Sequence, residues 1–202
     1  MPDLEDLHAR VASCTDCALY KSAINAVPGE GSPNAELMFI GEGPGAQEDA
    51  QGRPFVGPAG QVLNQLLASI GLKREDVYIA NMVKHRPPDN RDPFPGEIQA
   101  CAKYLEEQIK LINPKVVIPL GRHALAKWFP KDTISKVHGR PRRVGELTLF
   151  PQYHPAAALH NPAIRPALEH DFQEMGKLLR QEDIPAEPET PEESGGQQLS
   201  MF

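Results

Sequence analysis

Leu37-Met38-Phe39-Ile40-Gly41-Glu42-Gly43-Pro44-Gly45 is a four-residue apolar run broken by a glycine- and proline-rich turn. Residues 36–41 read as a buried strand that ends where the glycines begin. A second junction of this kind lies far downstream. The apolar-rich run over 147–153 stops at His154-Pro155-Ala156-Ala157-Ala158-Leu159. In a parallel α/β sheet both turns reach the same rim. Glu42 on a glycine-rich turn would then face His154 on a proline-fixed turn, a pairing suited to hydrolysis.

Residues 77–81 and 115–120 read as further strands. Helices are expected over 4–11, 59–70, 97–112, 121–129 and 163–180. Val62, Leu63, Leu66 and Leu67 recur at helical spacing, and Gly71 is a C-terminal stop. A hairpin is expected over 142–153, turning at Gly145-Glu146. Residues 86–93 are irregular, because their prolines fix φ and remove donors. Strands alternating with helices predict a three-layer α/β/α sandwich with a mostly parallel central sheet.

The chain has 202 residues, enough for one domain with a sizeable core. That domain is expected over 1–181, with a disordered acidic tail over 182–202. Six of the 27 acidic residues fall in that tail, which has no Lys or Arg. The other 21 balance the 21 basic residues. A neutral body does not announce a polyanion binder, yet basic residues cluster locally at Lys84, Arg86 and Arg91 and at Lys136, Arg140, Arg142 and Arg143. The N-terminus lacks a basic and apolar leader, and no apolar run approaches the roughly 20 residues of a membrane span. The expected location is cytoplasmic.

Three cysteines in such a protein do not suggest a disulfide framework. Cys14 and Cys17 form a C-x2-C pair, Cys101 lies within an expected helix, and His85 precedes it by sixteen residues. Together they make a four-ligand set. Thiolates suit both zinc and iron–sulfur clusters, and the residues alone leave that choice open.

Five motifs then fall in one order: Gly41-Glu42-Gly43-Pro44-Gly45-x-x-Glu48-Asp49, Gly52-Arg53-Pro54-Phe55-Val56-Gly57, Asn81-x-Val83-Lys84, Arg86-Pro87-Pro88-x-Asn90-Arg91 and His154-Pro155-Ala156. With the C-x2-C start, they resemble family 4 uracil-DNA glycosylases over residues 4–177. That resemblance implies a [4Fe-4S] cluster rather than zinc, and uracil-containing DNA, single- or double-stranded, as substrate. One position departs from the pattern: His85 stands where the family has a cysteine. A related branch that captures uracil-DNA covalently also has a His after its Val-Lys pair. It carries a basic insertion that this chain lacks between Arg86 and Cys101, and it lacks the glycine found here at Gly43.

The resemblance implies the following roles. An enzyme acting on a stacked base must flip it into a pocket. Phe55 is the stacking platform and Asn81 reads uracil, its amide donating to O4 and accepting from N3–H. His154 stabilises charge growing on uracil O2, and Glu42 positions water and offsets positive charge on the sugar. Gly41 and Gly43 allow close backbone approach to the ring, and Glu48 lies near the C5 edge, where it could exclude a thymine methyl. Lys84, Arg86, Arg91 and Arg140–Arg143 are expected to contact phosphates, and Leu159 to wedge into the duplex.

Gln198-Leu199-Ser200-Met201-Phe202 resembles the peptide by which bacterial repair proteins bind the sliding clamp, with Gln198, Leu199, Met201 and Phe202 as anchors. The leading expectation is a monomeric glycosylase that leaves an abasic site. The alternatives are a protein that captures uracil-DNA without turnover and a zinc-bearing nucleotide hydrolase. The last is disfavoured because the phosphate-loop ending is missing.

Overall fold

The computed structural model describes residues 3–180, so the expected tail and its terminal pentapeptide lie outside the described residues. One sheet organises the chain. Its strands are β1 (Glu30–Gly31), β2 (Leu37–Gly41), β3 (Tyr78–Asn81), β4 (Val116–Pro119), β5 (Arg142–Val144) and β6 (Leu147–Leu149), in spatial order β1-β3-β2-β4-β6-β5. The central four run parallel, and β1 and β5 add antiparallel edges.

Every residue of β2, β3 and β4 is buried, as expected for strands covered on both faces. Alternation sends Leu37 and Phe39 to one face and Met38 and Ile40 to the other. The first face is covered by α3 (Pro58–Ser69), α7 (Pro155–His160) and α8 (Arg165–Leu178). The second is covered by α4 (Pro95–Ile112) and α5 (Gly121–Ala126). The short helices α2 (Ala46–Gln51) and α6 (Ile134–Val137) lie in connections, and α1 (Leu4–Ala12) packs on α4. The sheet with helices on both faces is the three-layer sandwich anticipated from the sequence.

Several boundaries differ for local reasons. The helix expected from residue 97 starts at Pro95, which needs no N–H partner in the first turn, and Glu97 Oε2 accepts from the Phe94 N–H at 2.7 Å. The helix expected to reach 129 stops at Ala126, since the residue before Pro130 disfavours helical geometry. The last helix starts at Arg165, after a 3-10 turn over Pro162–Ile164 that Asn161 caps. The hairpin turns through Gly145, whose φ of 58° suits glycine. Its second arm loses regular pairing after Leu149, because Pro151 has no N–H. Phe150 and Gln152 still donate to Val117 and Pro119 carbonyls at 2.9 and 3.0 Å, so the chain reaches the rim two residues before His154.

Across the first face, the ring of Phe39 stacks on that of Phe172 with centroids 5.8 Å apart, and both are fully buried. Phe172→Ala should destabilise the fold by about 3–5 kcal/mol, read as a lowered urea midpoint with an unchanged slope.

Candidate active site

At the carboxyl ends of the parallel strands lies a cavity of about 460 Å³, lined among others by Glu42, Glu48, Phe55, Asn81, Arg91 and His154. The parallel ladder places Gly41 beside Asn81 at the ends of β2 and β3. A Cβ on Gly41 would lie 2.4 Å from Asn81 Oδ1 and 2.7 Å from the Phe55 ring. Glycine is required there because the Asn81 and Phe55 side chains converge on one backbone atom. Gly43 is crowded too, since its Cβ would meet Val83 at 2.8 Å. Asn81 Oδ1 is buried without a hydrogen-bond partner. An orphaned acceptor in a cavity costs about 1–3 kcal/mol, and a ligand N–H recovers it.

Phe55 sits in the left-handed region, with φ at 51°. Such strain costs about 1–3 kcal/mol in a non-glycine residue and persists only when its surroundings enforce it. Arg74 donates to the carbonyls of Phe55 and Pro54 at 3.0 and 2.5 Å, and Glu30 holds Arg74 at 3.1 Å. From the other side, Glu48 Oε1 accepts the N–H groups of Val56 and Gly57 at 3.0 and 2.8 Å. Gly60 of α3 lets the helix approach, since a Cβ there would lie 1.7 Å from the Phe55 carbonyl oxygen. Phe55 is only 5% exposed, with its ring stacked on that of His154 at 5.4 Å.

His154 caps α7, and its Nδ1 accepts the Ala156 N–H at 3.1 Å. That bond places the proton of the neutral ring on Nε2, which leaves a donor for the cavity. Burial lowers the His154 pKa to about 4, with Glu48 opposing the shift. The imidazole is therefore neutral near pH 7. Gly121, with φ at 82°, allows the close approach: a Cβ there would sit 3.0 Å from His154 Cβ.

Glu42 leaves β2 as a half-buried carboxylate. Burial raises its pKa first, His123 and Arg122 pull it down, and Asp92 pushes it up. His123 Nε2 lies 3.5 Å from Glu42 Oε2 and 3.2 Å from Asp92 Oδ2.

Behind β3 the cysteines converge. Cys14 and Cys17 pack against a buried cluster containing Cys101 and Tyr104. Cys101 Sγ accepts the Lys84 N–H at 3.3 Å. Burial raises the Cys101 thiol pKa, while that N–H and the Lys84 ammonium oppose the rise. His85, 5% exposed, shares with Cys14 the wall of a separate cavity of about 190 Å³. Among the described residues, the one set of three His, Cys, Asp or Glu whose ligand atoms lie within 4.8 Å of one another is Glu42, Asp92 and His123. The cysteine and histidine donors are therefore spread wider than zinc requires, because Zn–S bonds of about 2.3 Å bring tetrahedral ligands under about 4 Å apart.

Residues 28–177 match the family model for the Uracil DNA glycosylase superfamily. The chain is 48% identical over 188 residues to a type-4 uracil-DNA glycosylase of Sulfurisphaera tokodaii, covering 88% of this chain and 86% of that one. It is 42% identical over 184 residues to the type-4 enzyme of Thermotoga maritima, covering 89% and 96%. A type-5 uracil-DNA glycosylase of Pyrobaculum aerophilum is 28% identical over 186 residues, covering 75% and 82%. The chain belongs to the uracil-DNA glycosylase superfamily.

On this uracil-DNA glycosylase fold, Glu42, Gly41, Gly43, Glu48, Phe55, Asn81 and His154 meet around one cavity. Lys84 is a correction. Expected to contact phosphate, it is fully buried, and its ammonium donates to the Asn81 carbonyl and to Gln108 Oε1 at 2.8 and 2.7 Å. The other expected phosphate contacts divide. Arg140 and Arg143 are exposed. Arg86 donates to Asn90 at 2.7 Å, and Arg91 forms a two-pronged pair with Glu97 at 2.7 and 2.9 Å. Arg142 pairs with Asp132 under the Phe129 ring. Leu159 is 48% exposed on α7. Sequence reasoning missed His123 and Asp92. His123 had a readable signal, for it follows β4 at the same rim that pointed to Glu42 and His154.

An unfolded histidine titrates near 6.5, so on acidification the unfolded chain binds the proton before His154 does. His154 therefore contributes stability that is complete above about pH 6.5 and is lost as pH falls through its folded pKa of about 4. His154→Asn keeps a capping side chain. It should flatten the pH dependence of the urea-unfolding free energy between those limits, whereas an unaltered slope would place the buried titration elsewhere.

Proposed function

We propose that this chain is a DNA-repair glycosylase that flips uracil out of DNA and hydrolyses its N-glycosidic bond, leaving an abasic site. The observation that carries the reading is the unpaired, buried Asn81 Oδ1 beside Phe55 and His154. Uracil N3–H fills that acceptor, and the amide nitrogen donates to O4. Cytosine presents the opposite pattern at both atoms and leaves the acceptor unsatisfied. The names of the type-4 relatives support the same substrate.

Each remaining residue then has a task. Phe55 stacks on the flipped base, an interaction worth about 1–3 kcal/mol. The neutral His154 donates from Nε2 to uracil O2 as negative charge gathers there, stabilising the transition state more than the ground state. Glu42 orients water and offsets the cationic sugar. Glu48 fixes the Phe55 loop and borders the C5 edge. Leu159 enters the duplex at the emptied position, while Arg86, Arg91, Arg140 and Arg143 approach phosphates.

Cys14, Cys17, Cys101 and His85 hold a [4Fe-4S] cluster, in keeping with the type-4 likeness and with the packing of Cys14 and Cys17 against the buried cluster that contains Cys101. Its contribution is structural: it joins the N-terminal segment to α4 and to the chain after β3. The covalent-capture alternative finds no support in placement, since His85 does not line the cavity around Asn81. No helix among the described residues is long and apolar enough to cross a membrane; a cytoplasmic location and a monomeric state are assigned on sequence alone. Gln198, Leu199, Met201 and Phe202 are assigned, on sequence alone, to a sliding clamp.

Anaerobically purified protein incubated with a single-uracil oligonucleotide should give an alkali-labile site at the uracil. Glu42→Ala and His154→Ala should each slow single-turnover release by about 10²–10³-fold, with uracil-DNA binding retained. A band shift surviving denaturation would establish capture instead. The preparation should be brown, with iron and acid-labile sulfide in equal amounts. Zinc without sulfide would overturn the cluster assignment.

A further inference from the structure

The rim holds a chain of alternating charge that the proposed chemistry does not yet use. Glu42 comes from the end of β2, His123 from α5 after β4, and Asp92 from the irregular segment after residue 90. Glu42 Oε2, His123 Nε2 and Asp92 Oδ2 draw within 4.8 Å of one another, and the histidine nitrogen sits 3.5 and 3.2 Å from the two carboxylates. Arg122 Nη2 donates to the same Asp92 oxygen at 2.9 Å. His123 Nε2 is buried, and neither of its contacts is yet an aligned hydrogen bond.

We propose that His123 is a positioning residue that keeps Glu42 ionised and aimed at the sugar, with Asp92 and Arg122 as its outer counter-charges. The inference rests on the glycosylase reading. Two carboxylates this close repel, and each favours protonation of the other. An imidazole nitrogen between them stabilises both ionised forms, as a donor and, once protonated, as a charge. A divalent cation at the same atoms is disfavoured, because the Asp92 oxygen facing His123 is already occupied by Arg122. The signs on Glu42 agree: burial and Asp92 raise its pKa, while His123 and Arg122 lower it. The other titratable groups lining the cavity are Glu48, Arg91, His154 and His160. Glu48 is taken up by the Val56 and Gly57 N–H groups and Arg91 by Glu97, so neither is aimed at Glu42.

Because the neighbours act with opposite sign, the test does not depend on one variant. Single-turnover uracil release is measured against pH for wild type, His123→Ala, Asp92→Asn and Arg122→Ala. His123→Ala should move the acid limb up by about one pH unit, cutting the rate about tenfold at a pH inside that limb. Arg122→Ala should move it up by less. Asp92→Asn should move it down, until protonation of His154 near pH 4 takes over. Asp92 and Arg122 are mostly exposed, so those two variants carry the sign test even if His123→Ala does not fold. Rates scaled equally at every pH, or a limb that moves the same way in Asp92→Asn and Arg122→Ala, would overturn the role. Wild-type protein that releases no uracil at any pH would instead overturn the glycosylase reading.

Discussion

One buried ammonium ties the end of β3 to α4. Lys84 Nζ is satisfied by the Asn81 carbonyl and by Gln108 Oε1, with no carboxylate among its hydrogen-bond partners. Gln108 in turn donates to the Pro28 carbonyl and to Tyr78 Oη, and Tyr78 Oη bonds His8 on α1. Burial lowers the Lys84 pKa to about 8. A charge in such a place is tolerated only while every donor around it is answered. The backbone N–H of the same residue donates to Cys101. The strand end that presents Asn81 to the cavity is thus tied through one residue to the cysteine set, so disorder in the cysteine region would reach the site by way of Lys84.

The site itself is a consequence of parallel strands ending together. Gly41, Gly60 and Gly121 each mark a place where a side chain would collide with Asn81 and Phe55, with the Phe55 backbone, or with His154. Burial at this rim then acts on both polar groups in the same sense. It pushes Glu42 up and His154 down, favouring the neutral form of each. On the proposed chemistry the neutral donor is the useful form of His154. The same chemistry needs Glu42 ionised, which gives the neighbours that lower its pKa, His123 and Arg122, their importance.

The sequence made the central strands legible because β2 and β4 are covered on both faces and read as unbroken apolar runs. Helices α3 and α4 were legible through their spacing. Glu42, Asn81 and His154 were readable because each closes a strand at a turn. Helix α7 was read as a loop, since six residues show too little periodicity to separate a helix from a turn. Lys84 was misread because it sits between Val83 and His85-Arg86, and local charge cannot reveal a burial created by Gln108, twenty-four residues away. Asp92 escaped for the same reason, since its meaning lies in a meeting of three segments, whereas His123 was marked by its place after β4. The family resemblance supplied the roles that spacing alone could not.

Strain and an unsatisfied acceptor are concentrated where the base would bind. Phe55 is held at positive φ by Arg74 on one side and Glu48 on the other, and Asn81 Oδ1 is left unpaired beside it. Both features cost stability in the ligand-free protein. A base offering N3–H to that oxygen recovers the acceptor's cost and can stack on that ring, while the backbone strain stays with the protein. One that presents a lone pair at N3 can still stack, but it leaves the acceptor unsatisfied and adds acceptor–acceptor repulsion. On the proposed reading, discrimination arises at the unpaired Asn81 acceptor, which Gly41 allows to sit close beside the Phe55 ring.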